Sequence, residues 1–388
     1  MPLTGSPSAN ALTAEELQAL VERVFRPQPS ETRLALITDL PDAQVPDTPP
    51  WRDRRALVSE WHGLLTEESS FQTDLFVYRN AKANNADLPD EAWPWVGGTI
   101  PADADALEGT VEPVPMSELF TGYPMLIAAT QFSTTAPLKL AAAQHGIRAA
   151  TMPGFSRAMV PALRLDYGEI DRRVRLLADL LTEASGCALE FGVADQTLSL
   201  HLDLRHRRGH ASGGLIPQAG QAGNLPSGES YIVPYEGELA ETPSQTEGLL
   251  PVEFDGEVVV YRIAGNRAVE VTGDGPMAER ERQRLEREPA YGNMAELGLG
   301  VLSDFGLSPI GQVLLDEKLG LHIAFGRSDH FGGQVGAKDF SSPDAVVHID
   351  RVYLPESQPS IAVRRVDLLD ADGGRRPLMR DGSYCLEF

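Results

Sequence analysis

Cysteine is nearly absent: Cys187 and Cys385 stand far apart and form no CxxC pattern. That excludes a disulfide framework and fits a reduced interior, so a cytoplasmic location is expected. Basic residues are outnumbered, with 33 Lys and Arg against 56 Asp and Glu, a net charge of −23, and no long basic block. Phosphate binding needs a basic surface, so nucleic acid and anionic membranes are not expected as partners. Long apolar runs are also missing, and nothing approaches the roughly 18 residues that cross a bilayer. The first residues, MPLTGSPSANALTAEELQALVERVF, hold no basic segment followed by an apolar one, so no signal peptide is expected. There is no GxGxxG after the first strand, and no Walker A loop, HExxH or GxSxG.

What is present is a globular composition, 42% hydrophobic over 388 residues, long enough for two domains. TAEELQALVERVF begins with a Thr cap and a Glu three positions on, a capping-box start to an amphipathic helix. LALITDL, WRDRRALVSEWHGLLTEE and TDLFVYR then alternate as strand, helix and strand, the rhythm of a largely parallel sheet. Two acidic, proline-rich segments, NADLPDEAWPW and TIPADADALEGTVEPVP, read as surface loops. The alternation resumes with PMLIAATQFST, APLKLAAAQHG and IRAATMPGFS, and the helix DYGEIDRRVRLLADLLTEASG closes the first half with a glycine stop. From Cys187 the texture changes to short β-branched runs between Gly, Asp and Asn turns: CALEFGV, TLSLHLDL, SYIVPY, GEVVVYRI and RAVEVTG. These suggest an antiparallel sheet. The expectation is an α/β N-terminal domain over 1–186 and an α+β C-terminal domain over 187–388. Within the second, PMAERERQRLEREPAYGNMAELGLGVL reads as one helix broken near Pro289 and Gly292.

Six of the eight histidines lie beyond residue 200. In AVVHIDRVY, His348 and Asp350 are two apart in a strand-like run and so share one face. Glu229 follows a Pro/Gly turn in NLPSGES, where it reads alone as a solvated loop carboxylate or as a fixed one. Glu296 sits among Met294, Ala295, Leu297 and Leu299, with Gly298 and Gly300 permitting close backbone approach; a charge there is costly without a partner or a cation. His322 occupies the apolar run LHIAFG, and Asp329 and His330 follow in RSDHFGG. HRRGH, with His206 and His210, reads as a solvated turn or a substrate-facing basic patch. Four segments of the second domain thus offer carboxylate or imidazole. That mixture without thiolate suits Zn²⁺, Mn²⁺, Co²⁺ or Fe²⁺. A pair of such ions can hold a hydroxide and polarise a carbonyl, the chemistry of amide hydrolysis.

The ordered series NLPSGE, AELGLG, DEKLGLHIAFG and VHID, with IAATQFSTTAPLKLAAAQHGIRAATMPG before it, resembles the M29 family of thermophilic metallo-aminopeptidases. The resemblance implies two divalent metals in the C-terminal domain held by Glu229, Glu296, His322, His348 and Asp350, usually in a homodimer that removes N-terminal residues from peptides. The family carries a tyrosine shortly after the HxAxG histidine; this chain has none there and offers Asp329 and His330. A second resemblance is to the 2,5-dihydroxypyridine dioxygenases, which hold one Fe²⁺ through a His at the place of Glu296 together with the HxD pair.

The expected function is a hydrolase of a small peptide or amide, with about two Zn, Co or Mn ions per chain and Glu296, Asp329 or His330 assisting the chemistry. Two readings stand beside it: a mononuclear Fe(II) ring-cleaving dioxygenase, and a catalytically silent binding homologue.

Overall fold

The computed structural model describes residues 9–96, 99–107, 109 and 111–388. The expectations for the N-terminal tail over 1–8, and for Glu108 and Thr110 in the second acidic segment, lie outside the described residues. The chain divides into two compact units, 1–169 with 214–227, and 170–213 with 228–388. The sequence suggested one boundary near residue 186; along the chain, the division falls instead at three places.

The first unit is built on a seven-stranded sheet. Its parallel part runs Ala222–Asn224, Arg148–Thr151, Met125–Ala128, Arg33–Leu40 and Gln72–Arg79. Arg33–Leu40 is buried on both faces from Leu34 onward, which is why LALITDL reads as a continuous apolar run rather than an alternating one. The helix Ala14–Phe25 has the expected capping box: Thr13 Oγ1 accepts from the Glu16 amide at 3.2 Å, and Glu16 Oε2 accepts from the Thr13 amide at 2.9 Å. Leu17, Leu20, Val21 and Val24 form its buried stripe. The acidic segments are not loops throughout. Glu91–Pro94 and Val114–Pro115 add two short antiparallel strands at the sheet edge, the place where strand prolines are tolerated.

The second unit begins within the helix Tyr167–Glu183, whose Ile170, Val174, Leu177 and Leu181 are fully buried. Gly186, expected to stop this helix, opens the strand Gly186–Val193 instead. Two antiparallel sheets follow. The eight-stranded one runs Arg267–Thr272, Glu257–Ala264, Glu247–Phe254, Gln196–Asp203, Gly186–Val193, Ile361–Leu369, Arg375–Arg380 and Ser383–Tyr384. The five-stranded one runs His348–Val352, Leu321–Gly326, Met294–Gly300, Glu229–Ile232 and His210–Ser212.

One helix expectation fails over half its length. Pro276–Arg287 is helical and Pro289–Gly292 is a 3₁₀ turn, but Met294–Gly300 is the central strand of the five-stranded sheet. Each glycine in a helix interior costs about 1 kcal/mol relative to Ala, and this segment has two within three residues. All seven residues are buried, so periodicity alone could not separate a core strand from a core helix. Among the described residues no helix is long and apolar enough to cross a membrane, and Cys187 and Cys385 are both free.

Candidate metal centre

Cross-strand register collects the candidate ligands of the second unit. Residues directly opposite each other in an antiparallel pair share a face. One row across the five-stranded sheet is Ser212, Glu229 and Gly300; the next is His210, Tyr231, Gly298, His322 and Val352. Beyond these come Glu296, Ala324 and Asp350, then Gly326 and His348. Glu229, Glu296, His322, His348 and Asp350 therefore project from one face, drawn from four strands. The small residues between them make the space. A Cβ on Gly298 would lie 1.9 Å from His322 Nε2, and one on Gly300 would lie 2.1 Å from the carbonyl carbon of Lys318.

The five side chains form two overlapping donor groups, Glu229–Glu296–His322 and Glu296–His348–Asp350, with ligand atoms inside each group within 4.8 Å of one another. Glu296 belongs to both. Its Oε1 is 3.2 Å from His322 Nε2 and its Oε2 is 3.3 Å from His348 Nε2. The second carboxylate at each imidazole is Glu229 Oε2, 3.5 Å from His322 Nε2, and Asp350 Oδ1, 3.4 Å from His348 Nε2.

This donor set fits divalent cations. His348 Nδ1–H donates to the Arg327 carbonyl at 2.8 Å, and because a carbonyl only accepts, the neutral ring presents its Nε2 lone pair to two carboxylates. Lone pair against anion is repulsive unless a proton or a metal lies between. With protons alone, burial opposes the charge on His322, but Glu296 and Glu229 outweigh it and raise the ring to about 9. His348 is raised well above its ordinary value, as Asp350 and Glu296 overcome its burial. Burial likewise opposes ionisation of Glu296, yet the two imidazoles hold it down to about 2. The site demands positive charge at the two Nε2 positions, which metal ions supply with neutral imidazoles. His322 Nδ1 is buried without a hydrogen-bond partner among the described residues.

A third cation escaped the sequence reading. Lys318 is fully buried, and its Nζ donates to Glu229 Oε1 at 2.5 Å and also to Glu317. Burial raises Glu317 to about 8 despite the adjacent Lys318. The signal was available in DEKLGLHIAFG, where a charged pair directly precedes an apolar strand. Asp329 and His330 join neither donor group. They form a 3₁₀ turn in which Arg327 Nε donates to Asp329 Oδ1 at 2.6 Å, and the His330 ring stands 5.4 Å from that of His348. Burial, then the charges of His348 and Arg327, lower His330 to about 4. Of HRRGH, His206 is exposed in a turn while His210 joins the edge strand.

No family model and no curated protein sequence matches the chain. Solved structures do match. A 2,5-dihydroxypyridine dioxygenase from Pseudomonas putida KT2440 aligns with a TM-score of 0.61 at 14% identity, covering 98% of this chain and 99% of that one. Wild-type AmpT from Thermus thermophilus aligns with a TM-score of 0.54 at 16% identity, covering 96% and 99%. Both structural likenesses drawn from the sequence, to the M29 aminopeptidases and to the dihydroxypyridine dioxygenases, are thus found, and at these identities they establish a shared fold.

Proposed function

We propose that this chain is a metal-dependent hydrolase that cleaves an amide bond in the manner of an aminopeptidase. The observation that carries the reading is Glu296, a buried carboxylate whose two oxygens each face a different imidazole and so belong to two donor groups. Glu229, Glu296 and His322 would hold one ion, and Glu296, His348 and Asp350 the other. When bound, such ions lower the pKa of a water towards about 7 and polarise a carbonyl. The remaining work falls to the turn beside the site. His330 is neutral near pH 7, with Asp329 Oδ1 3.6 Å from its Nδ1, and can orient a substrate or water by hydrogen bonding as a neutral imidazole. The test is metal content per chain by elemental analysis, together with release of amino acids from short peptides. About two divalent ions and peptide turnover are expected; protein that takes up no metal from excess Zn²⁺, Co²⁺ or Mn²⁺ overturns the reading.

Lys318 favours one alternative. Because its ammonium already serves Glu229, Glu296–His348–Asp350 can stand alone as a two-carboxylate, one-imidazole set for a single Fe²⁺, differing at Glu296 from the two-His, one-carboxylate triad of mononuclear iron oxygenases. About one iron per chain, with oxygen consumed on a dihydroxypyridine, would select the ring-cleaving dioxygenase.

A further inference from the structure

Beside the charged groups stands a row of aromatic rings, of which His210 and Tyr231 on the sheet and Phe331 on the Asp329–Phe331 turn belong to neither donor group. The His210 ring stacks on Tyr231 at 5.2 Å and 20°, Tyr231 meets Phe331 at 4.8 Å, and Phe331 meets both His330 at 3.9 Å and His348 at 5.4 Å. None of these side chains is buried in the core: His210, Tyr231, Phe331 and His348 are half-buried and His330 is exposed. Register fixes the row against the donor groups, since Tyr231 lies opposite Gly298, across which His322 faces it, and two residues from Glu229. Large rings left half-buried beside a polar centre are not needed to fill the core.

We infer that the site takes a molecule with an aromatic ring close to the group it offers to the metal, and that Tyr231 and Phe331, backed by His210, form the shelf on which that ring stacks. This rests on the metal-centre reading and narrows its substrate to aromatic N-terminal residues or heteroaromatic rings. Ring pairs prefer offset or edge contacts with centroids 4.5–7 Å apart, the range over which these rings already meet one another.

The experiment is calorimetric titration of metal-loaded protein with acetohydroxamate, cyclohexanecarbohydroxamate and benzohydroxamate, three chelators with the same head group. Benzohydroxamate is expected to bind roughly ten-fold tighter than the cyclohexyl compound, the factor that about 1.4 kcal/mol gives. Phe331→Leu and Tyr231→Leu should erase that preference while metal content and acetohydroxamate affinity stay unchanged, and Tyr231→Phe should keep it. Equal affinity for the cyclohexyl and phenyl compounds in the unaltered protein refutes the shelf and leaves the metal centre standing. A preference that survives both leucine variants also refutes it. Protein that holds no metal by elemental analysis and binds no hydroxamate removes the metal centre and the shelf with it.

Discussion

Replacing Gly298 by alanine adds one methyl group at the point where the site is tightest. The glycine is paired on both sides, with Tyr231 and His322, so its backbone cannot retreat. The new Cβ would lie 1.9, 2.2 and 2.5 Å from Nε2, Cε1 and Cδ2 of the His322 ring, and reaching ordinary contact requires the ring to shift by about 1.5 Å. That ring is fully buried, so the shift is opposed by its neighbours, and overpacking of this kind costs about 1–3 kcal/mol. It also turns Nε2 away from Glu229 and Glu296. Urea denaturation of Gly298→Ala should show that loss, and elemental analysis should show the Glu229–Glu296–His322 ion missing while the other is retained. In a His322→Ala background there is no ring to strike, and the same methyl should cost less than about 0.5 kcal/mol, the additivity expected of sites that no longer touch. Gly63→Ala is the control: it lies inside the helix Pro49–Glu68 with nothing within 4 Å of its Cβ and should gain about 1 kcal/mol. Unchanged stability and unchanged metal content in Gly298→Ala would refute the placement of His322 over the glycine.

Three further outcomes follow from the same geometry. Glu296→Gln keeps the shape of the shared ligand but removes its charge, so both donor groups should lose metal affinity by more than about 100-fold and turnover should vanish in folded protein; competition against a chelator measures the first, and retained turnover would sink the assignment. Lys318→Met leaves Glu229 buried without its ammonium and should cost about 3–5 kcal/mol in urea unfolding; a loss under about 1 kcal/mol would mean the contact is not made. In metal-stripped protein the raised His322 stabilises the fold fully below its ordinary pKa of about 6.5 and loses that contribution as pH rises through about 9, a fall of about 3 kcal/mol over this window. Denaturation curves across the window check the sign, and a stability that rises with pH there would contradict it.

How far the sequence reached is clearest in particular residues. The capping box at Thr13 and Glu16 is local chemistry between neighbours in the chain, and it formed as written. His348 and Asp350 share a face because a strand has a period of two, and no tertiary information was needed for that. Met294–Gly300 was legible as buried but not as a strand, because a segment apolar on every side carries no period, and only pairing with Glu229–Ile232 and Leu321–Gly326 decides it. The edge strands at Glu91 and Val114 were hidden by their prolines and acids, which usually mark loops.

The sequence by itself determined the inventory: carboxylates and imidazoles in four segments, three of them apolar, glycines beside two of them, acidity that disfavours nucleic acid, and an α/β half followed by a β-rich half. These are properties of composition and short-range periodicity. Only the tertiary structure decided that Glu296 faces two imidazoles at once, that Lys318 reaches Glu229 from another segment, and that Tyr231 and Phe331 stand beside the donor groups. The first relation is set by the register between strands far apart in the chain and the others by 3₁₀ turns packed against those strands, and which faces must be buried together is a quantity no single segment carries.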